Sequence, residues 1–168
     1  MAERVPFEVA DERAALVVVD MQNDFCAPGA PYENEIGRDS IATINALAQA
    51  CRARSIPVVF TAQRHRSDGS DIGRVGRLHP MTADGRALRE DTEGVELHPD
   101  LKVEPSDHVI VKRRFSAFYS TDLDVLLRGL GVTTLVVTGV ALNICVEATI
   151  RDAFFRDYEV IVVEDATG

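Results

Sequence analysis

Leu135-Val-Val-Thr-Gly139-Val-Ala-Leu-Asn-Ile-Cys145-Val-Glu-Ala-Thr149 is the stretch that decides how this chain is read. A β-branched run ends at Gly139, a short loop follows, and a helix-type segment begins around Cys145. Strand, loop and helix in that order make the repeating unit of a parallel α/β sheet. The unit places a thiol near backbone N–H groups that lack intrahelical partners, where the helix dipole favours thiolate. The alternative is a small buried hydrophobe, the usual role of an intracellular cysteine.

The same alternation extends outward in both directions. Ala15-Leu-Val-Val-Val19 is a continuous apolar run bounded by charge, as expected of a strand buried on both faces. From Asp39 to Arg54, Ile41, Ile44, Leu47, Ala48 and Cys51 fall at helical spacing, with Asp39 or Ser40 as N-cap. Pro57-Val-Val-Phe-Thr61 reads as a second strand and His108-Val-Ile-Val111 as a third. Ser120 or Thr121 caps a helix presenting Leu123, Leu126, Leu127 and Leu130 and closed by Gly131. Thr134–Thr138 is a fourth strand, residues 144–156 a helix, and Glu159–Val163 a fifth strand. The pattern predicts one α/β domain over residues 1–168, a mostly parallel sheet with helices on both faces. A doubly wound fold would add a covering helix after the fifth strand, so either a longer chain or another subunit is expected to cover that face. Residues 62–105 are polar and weakly periodic, and so long a segment in a compact domain carries function or a subunit contact.

Composition excludes several classes. Of 168 residues, 46% are hydrophobic and 27% charged, the balance of a globular protein. The net charge of −9 argues against a nucleic-acid partner, which needs clustered Lys and Arg. No apolar run is long enough to span a bilayer, and Met1–Glu8 has no signal-like stretch. Cys26, Cys51 and Cys145 give an odd count with no Cys-x-x-Cys pair, which points to a reducing cytoplasm.

In an open parallel sheet, ligands bind outside the carboxyl ends of the strands. The first strand delivers Asp20 to that edge, the third Lys112, and the fourth leads to Cys145. A carboxylate can take the thiol proton and return it to a leaving amine, and an ammonium lowers the thiol pKa. Singly, Asp20 could cap a turn and Lys112 could join Arg113 and Arg114 in a solvated basic cluster. Together they are the parts of a cysteine hydrolase, whose thiol should alkylate faster than Cys26 or Cys51 near neutral pH.

The segments Val-Val-Asp20-Met-Gln-Asn-Asp-Phe25, Val-Lys112-Arg-Arg-Phe-Ser-Ala-Phe118 and Thr-Gly139-Val-Ala-Leu-Asn-Ile-Cys145-Val-Glu-Ala-Thr-Ile-Arg-Asp-Ala153 resemble the isochorismatase-like cysteine hydrolase superfamily. The resemblance runs in order from about residue 14 to the end of the chain. It implies a three-layer α/β/α fold and a catalytic triad of Asp20, Lys112 and Cys145. It also implies a cis peptide at Val140–Ala141 and an oxyanion site made by the N–H groups of Ala141 and Cys145. Members are commonly dimers or tetramers, so a homo-oligomer is expected.

The superfamily contains nicotinamidases, carbamoyl and ureido amidases, biuret-type hydrolases, and isochorismatases that work without a nucleophilic cysteine. Cys145 favours amide chemistry. Nicotinamidases bind a metal through an Asp-x-His pair after the second strand, where this chain has Gln63-Arg64-His65. A neutral amide is a poor ligand for a dication, so neither a metal nor another cofactor is expected. The loop His65-Arg66-Ser-Asp68-Gly-Ser-Asp71-Ile-Gly-Arg74 resembles that of metal-free members acting on ureido or carbamoyl compounds. Arg66 or Arg74 could pair with a substrate carboxylate, or simply balance Asp68 and Asp71. Phe25, Phe118 and Asn143 flank the triad in sequence and are candidate pocket walls, although core packing is the usual fate of Phe. Cys26 reads as packing. The expected partner is thus a small-molecule amide or ureido substrate. Competing readings are a nicotinamidase-type or isochorismatase-type hydrolase, or a catalytically silent scaffold. A nucleotide-binding domain would want a glycine-rich loop after the first strand, and Asp20-Met-Gln-Asn has no glycine.

Overall fold

Alternate residues of the first strand, β1 (Ala14–Val19), enter two different cores. Ala15, Val17 and Val19 pack on one face with Leu123, Leu127 and Ala153, while Leu16 and Val18 pack on the other with Ile44, Ala48 and Phe60. A strand covered on both sides has no polar face, which is why its sequence is an unbroken aliphatic run. The computed structural model describes residues 10–168, and the Met1–Glu8 stretch read above lies outside the described residues.

Around β1 the sheet is completed by β2 (Val58–Gln63), β3 (His108–Lys112), β4 (Thr134–Gly139) and β5 (Glu159–Thr167), in the order β3-β2-β1-β4-β5. Every pairing is parallel. Two short helices, α1 (Asn23–Cys26) and α2 (Glu35–Asp39), precede α3 (Ile41–Ala53), which covers one face. Residues 64–107 contain the single-turn helices α4 (Val75–Leu78) and α5 (Pro80–Ala83). The other face is covered by α6 (Leu123–Gly129) and α7 (Glu147–Phe154). The three layers expected from the sequence are present.

Caps depart in detail from the expectation. Ser40 occupies the N-cap position of α3, but its hydroxyl donates back to the Gly37 carbonyl. Asp122 precedes α6, and Thr121 Oγ1 accepts from the Leu123 N–H instead. The expected helix over 144–156 divides: Leu142–Val146 forms a π-helical turn, and α7 follows it.

Three strands run further than their aliphatic cores, β5 reaching Thr167 rather than Val163. β2 ends at Gln63 rather than Thr61, and β3 at Lys112, and these two polar residues are register partners. At the end of β4, Gly139 has φ +105°, and a Cβ there would lie 2.1 Å from the Val19 carbonyl oxygen. Gly139→Ala should therefore cost at least about 2 kcal/mol. Urea unfolding would register it as a lowered midpoint with unchanged m-value.

Candidate active site

The carboxyl edge of the sheet gathers four polar residues from four adjacent elements. Asp20 leaves β1 with φ +51°, a left-handed conformation that Asp tolerates better than most residues. Its N–H donates to the Thr61 carbonyl and hydroxyl, and the Thr61 hydroxyl donates in turn to Asp20 Oδ1 at 2.7 Å. The other carboxylate oxygen, Oδ2, lies 2.6 Å from Lys112 Nζ, and both side chains are fully buried. It receives no other donor. One oxygen is committed to Thr61, and the other retains the capacity to take a proton.

Lys112 starts two strands away from Asp20. Strands are spaced roughly 4.8 Å apart, so its side chain must cross β2 to reach the carboxylate. Along the way Nζ donates to Gln63 Oε1 at 3.3 Å and to the Arg114 and Phe115 carbonyls at 3.0 and 2.9 Å. Burial works against the ammonium, and the Asp20 carboxylate beside it more than offsets this, leaving Lys112 above the ordinary lysine value. The lysine is charged at any physiological pH. It belongs to this buried cluster and not to a solvated one.

Cys145 lies in the π-helical turn, 4% exposed, with Sγ 3.7 Å from Gln63 Oε1. Burial pushes its thiol up to about 12; Lys112 pulls it down, and Asp20 pushes it back up. The sequence reading expected a depressed thiol, because it weighed the ammonium and the helix dipole. In the structure the ammonium is already neutralised by Asp20, so the sulfur faces a compensated ion pair and desolvation decides. The Val140–Ala141 peptide is cis, and Ala141 and Cys145 both line the cavity described next.

That cavity, about 310 Å³, opens over Cys145 and Gln63. Four rings follow one another around it: Phe25 stacks on Tyr32, His79 meets Tyr32 edge-on, and Phe115 meets His79 edge-on. The polar 62–105 segment supplies Val75, His79, Thr82 and Leu88 to the walls. It is tied down by the Leu88 N–H donating to the buried Asp24 carboxylate and by the Gln22 side chain donating to the Val95 carbonyl. The function expected of this segment is thus to close one side of the cavity.

Of the predicted pocket residues, Phe25 lines the cavity. Phe118 does not: it packs in the core against Tyr158, because the chain after Lys112 turns it toward α6. Asn143 is exposed and borders a neighbouring groove. Arg66 and Arg74 are exposed and line no part of the cavity, so the carboxylate clamp suggested for them is not formed. Cys26 is buried against Met21, as packing requires.

Thr61, Gln63, Tyr32, His79 and Phe115 were not recognised as site residues from sequence. The strand-end rule would have found Gln63 had the end of β2 been placed correctly. His65 and Gln63, the positions of a metal-binding pair in nicotinamidases, are engaged elsewhere: His65 Nε2 faces Gln63 Nε2 at 3.2 Å and Nδ1 faces Asp71 at 3.3 Å. With both ring nitrogens and the amide oxygen occupied, these residues do not fit a cation. Among the described residues, no three His, Cys, Asp or Glu side chains gather as metal ligands.

A parallel α/β/α sheet with this polar cluster at its carboxyl edge defines the class, and comparison with known proteins gives the family. Residues 14–168 match the isochorismatase domain, and the chain belongs to the isochorismatase family. It is 35% identical to the ureidoacrylate amidohydrolase RutB of Pantoea ananatis, over 93% of this chain and 69% of that protein. A cysteine hydrolase from Pseudomonas syringae superposes with a TM-score of 0.95 at 36% identity, covering all of this chain and 78% of the other. The N-carbamoylsarcosine amidase of Thermoplasma acidophilum superposes at 0.80 with 31% identity, covering 93% and 84%.

Proposed function

We propose that this isochorismatase-family protein is a cysteine-dependent amidase that cleaves a C–N bond of a small amide or ureido compound and releases ammonia. The observation that carries the reading is the Asp20–Lys112 ion pair, fully buried beside a thiol that lines a cavity. Burying two charges is costly, and here the pair lies behind the cavity wall, with the Lys112 ammonium donating to Gln63, which lines the cavity together with Cys145. The names of the relatives above support C–N hydrolysis as the reaction class.

In the first step Asp20 Oδ2 takes the Cys145 proton as the sulfur attacks the substrate carbonyl carbon. The C–S bond forms, and the carbonyl π pair moves to oxygen, where the N–H groups of Ala141 and Cys145 receive the oxyanion. The C–N bond then breaks, Asp20 returns the proton to the leaving nitrogen, and ammonia departs. Water, deprotonated by Asp20, cleaves the thioester, and Cys145 regains its proton. Lys112 holds the Asp20 carboxyl group in place throughout. The rings of Phe25, Tyr32, His79 and Phe115 suit a flat substrate body, with orientation left to the few polar groups of the cavity.

An ammonia-release screen over N-carbamoyl amino acids, ureidoacrylate, biuret and nicotinamide, with and without chelator, tests the proposal. At least one compound should be hydrolysed at a rate that chelator leaves unchanged. Silence across the panel would favour the scaffold reading, and chelator-sensitive nicotinamide turnover the nicotinamidase one.

A further inference from the structure

Gln63 occupies the place between the amine and the thiol, and its amide has only one workable orientation. The Lys112 ammonium has donors and no acceptor, so the Gln63 atom 3.3 Å from it is the carbonyl oxygen. The amide nitrogen then points at His65 Nε2, 3.2 Å away, which must present its lone pair. The imidazole proton is left on Nδ1, where it donates to Asp71 Oδ1. Burial pushes His65 below the ordinary histidine range, as a neutral ring requires; Asp71 opposes this shift, and Arg114 and Arg113 add to it. The Gln63 backbone is held as well: its N–H donates to Gln22 Oε1, and Gln22 Nε2 donates to its carbonyl. Asp71, His65 and Gln63 thus form a directed chain ending in an oxygen that faces Cys145 Sγ at 3.7 Å.

An acceptor beside a thiol favours S–H over S⁻; the Asp20 carboxylate acts on Cys145 in the same sense and the Lys112 ammonium in the opposite one. We infer that Gln63 is a positioning residue which, oriented by His65, holds the Cys145 proton and keeps the resting nucleophile as a neutral thiol. The inference rests on reading Cys145 as the nucleophile. Its consequence is protection: oxidants and alkylating agents attack the thiolate, so a nucleophile ionised only when substrate arrives survives longer between turnovers.

Carboxamidomethylation by iodoacetamide measures this without any substrate. Gln63→Met removes the acceptor, and His65→Phe removes the group that orients it. Each should raise the Cys145 labelling rate at pH 8 about tenfold and displace its rate–pH profile to lower pH by about one unit. Labelling of Cys26 in the same samples should not change, whereas general loosening would speed both cysteines and displace neither profile. A Cys145 profile that stays in place in both variants overturns the inference. The wild-type protein gives a test that no variant's folding can spoil: long-range ¹H–¹⁵N spectra should show His65 as the Nδ1–H tautomer. The Nε2–H tautomer would turn the amide around and overturn the inference by itself. If the profile moves and no amide is hydrolysed, the amidase reading fails while this one stands; the opposite pattern separates them the other way.

Discussion

Lys112→Met is expected to abolish turnover and to destabilise the fold by about 3–5 kcal/mol, the usual consequence of removing one member of a buried ion pair. Asp20 and Lys112 have no exposed side-chain surface, and Asp20 Oδ2 has no donor besides that ammonium. A thioether of similar length fills the volume and leaves a carboxylate in a dry site. Three further acceptors, Gln63 Oε1 and the Arg114 and Phe115 carbonyls, would lose their donor at the same time. The pH dependence has a definite sign. The folded-state pKa of Lys112 is raised, so its contribution is fully present below the ordinary lysine value of 10.5 and is lost only as the pH rises through the higher folded value. Urea unfolding should therefore show the deficit undiminished across neutral pH. A Lys112→Met protein as stable as wild type at pH 7 would mean that the pair is not buried as described.

Cys145→Ala is expected to give the opposite combination, with activity lost by about 10⁴-fold or more and stability little changed. The substitution removes one sulfur from a cavity wall and leaves the Asp20–Lys112 pair intact. Because Sγ already borders open space, little new void is created, and a cost of no more than about 1–2 kcal/mol follows. The two variants separate the roles: the lysine supports both the fold and the chemistry, the cysteine the chemistry alone.

Much of this was legible in the chain itself. Asp20, Lys112 and Cys145 could be assigned to one edge because parallel strands all finish on the same side of the sheet, and β1 and β4 are bounded by clear polarity changes. Gln63 was misread because β2 continues two residues beyond its aliphatic run, so its last residue resembled a loop position and registered only as a missing metal ligand. Phe118 and Asn143 were assigned by nearness in sequence to the triad, and Arg66 and Arg74 by the likeness of their loop to that of metal-free members; neither says which way a side chain turns. Tyr32 and His79 come from loops whose course depends on tertiary ties such as Asp24 to Leu88, and no local pattern encodes those. The direction of the Cys145 thiol's shift was missed for a different reason: the sequence identified the charged neighbours but not their mutual compensation or the depth of burial.

The central claim is that Cys145 carries the acyl group. Acid quenching during turnover of whichever panel compound releases ammonia, followed by peptide mapping, tests it directly. The account predicts an acyl-sized mass increment on the peptide containing Cys145, and no ammonia release from Cys145→Ala. Ammonia release by Cys145→Ala at the wild-type rate would contradict it.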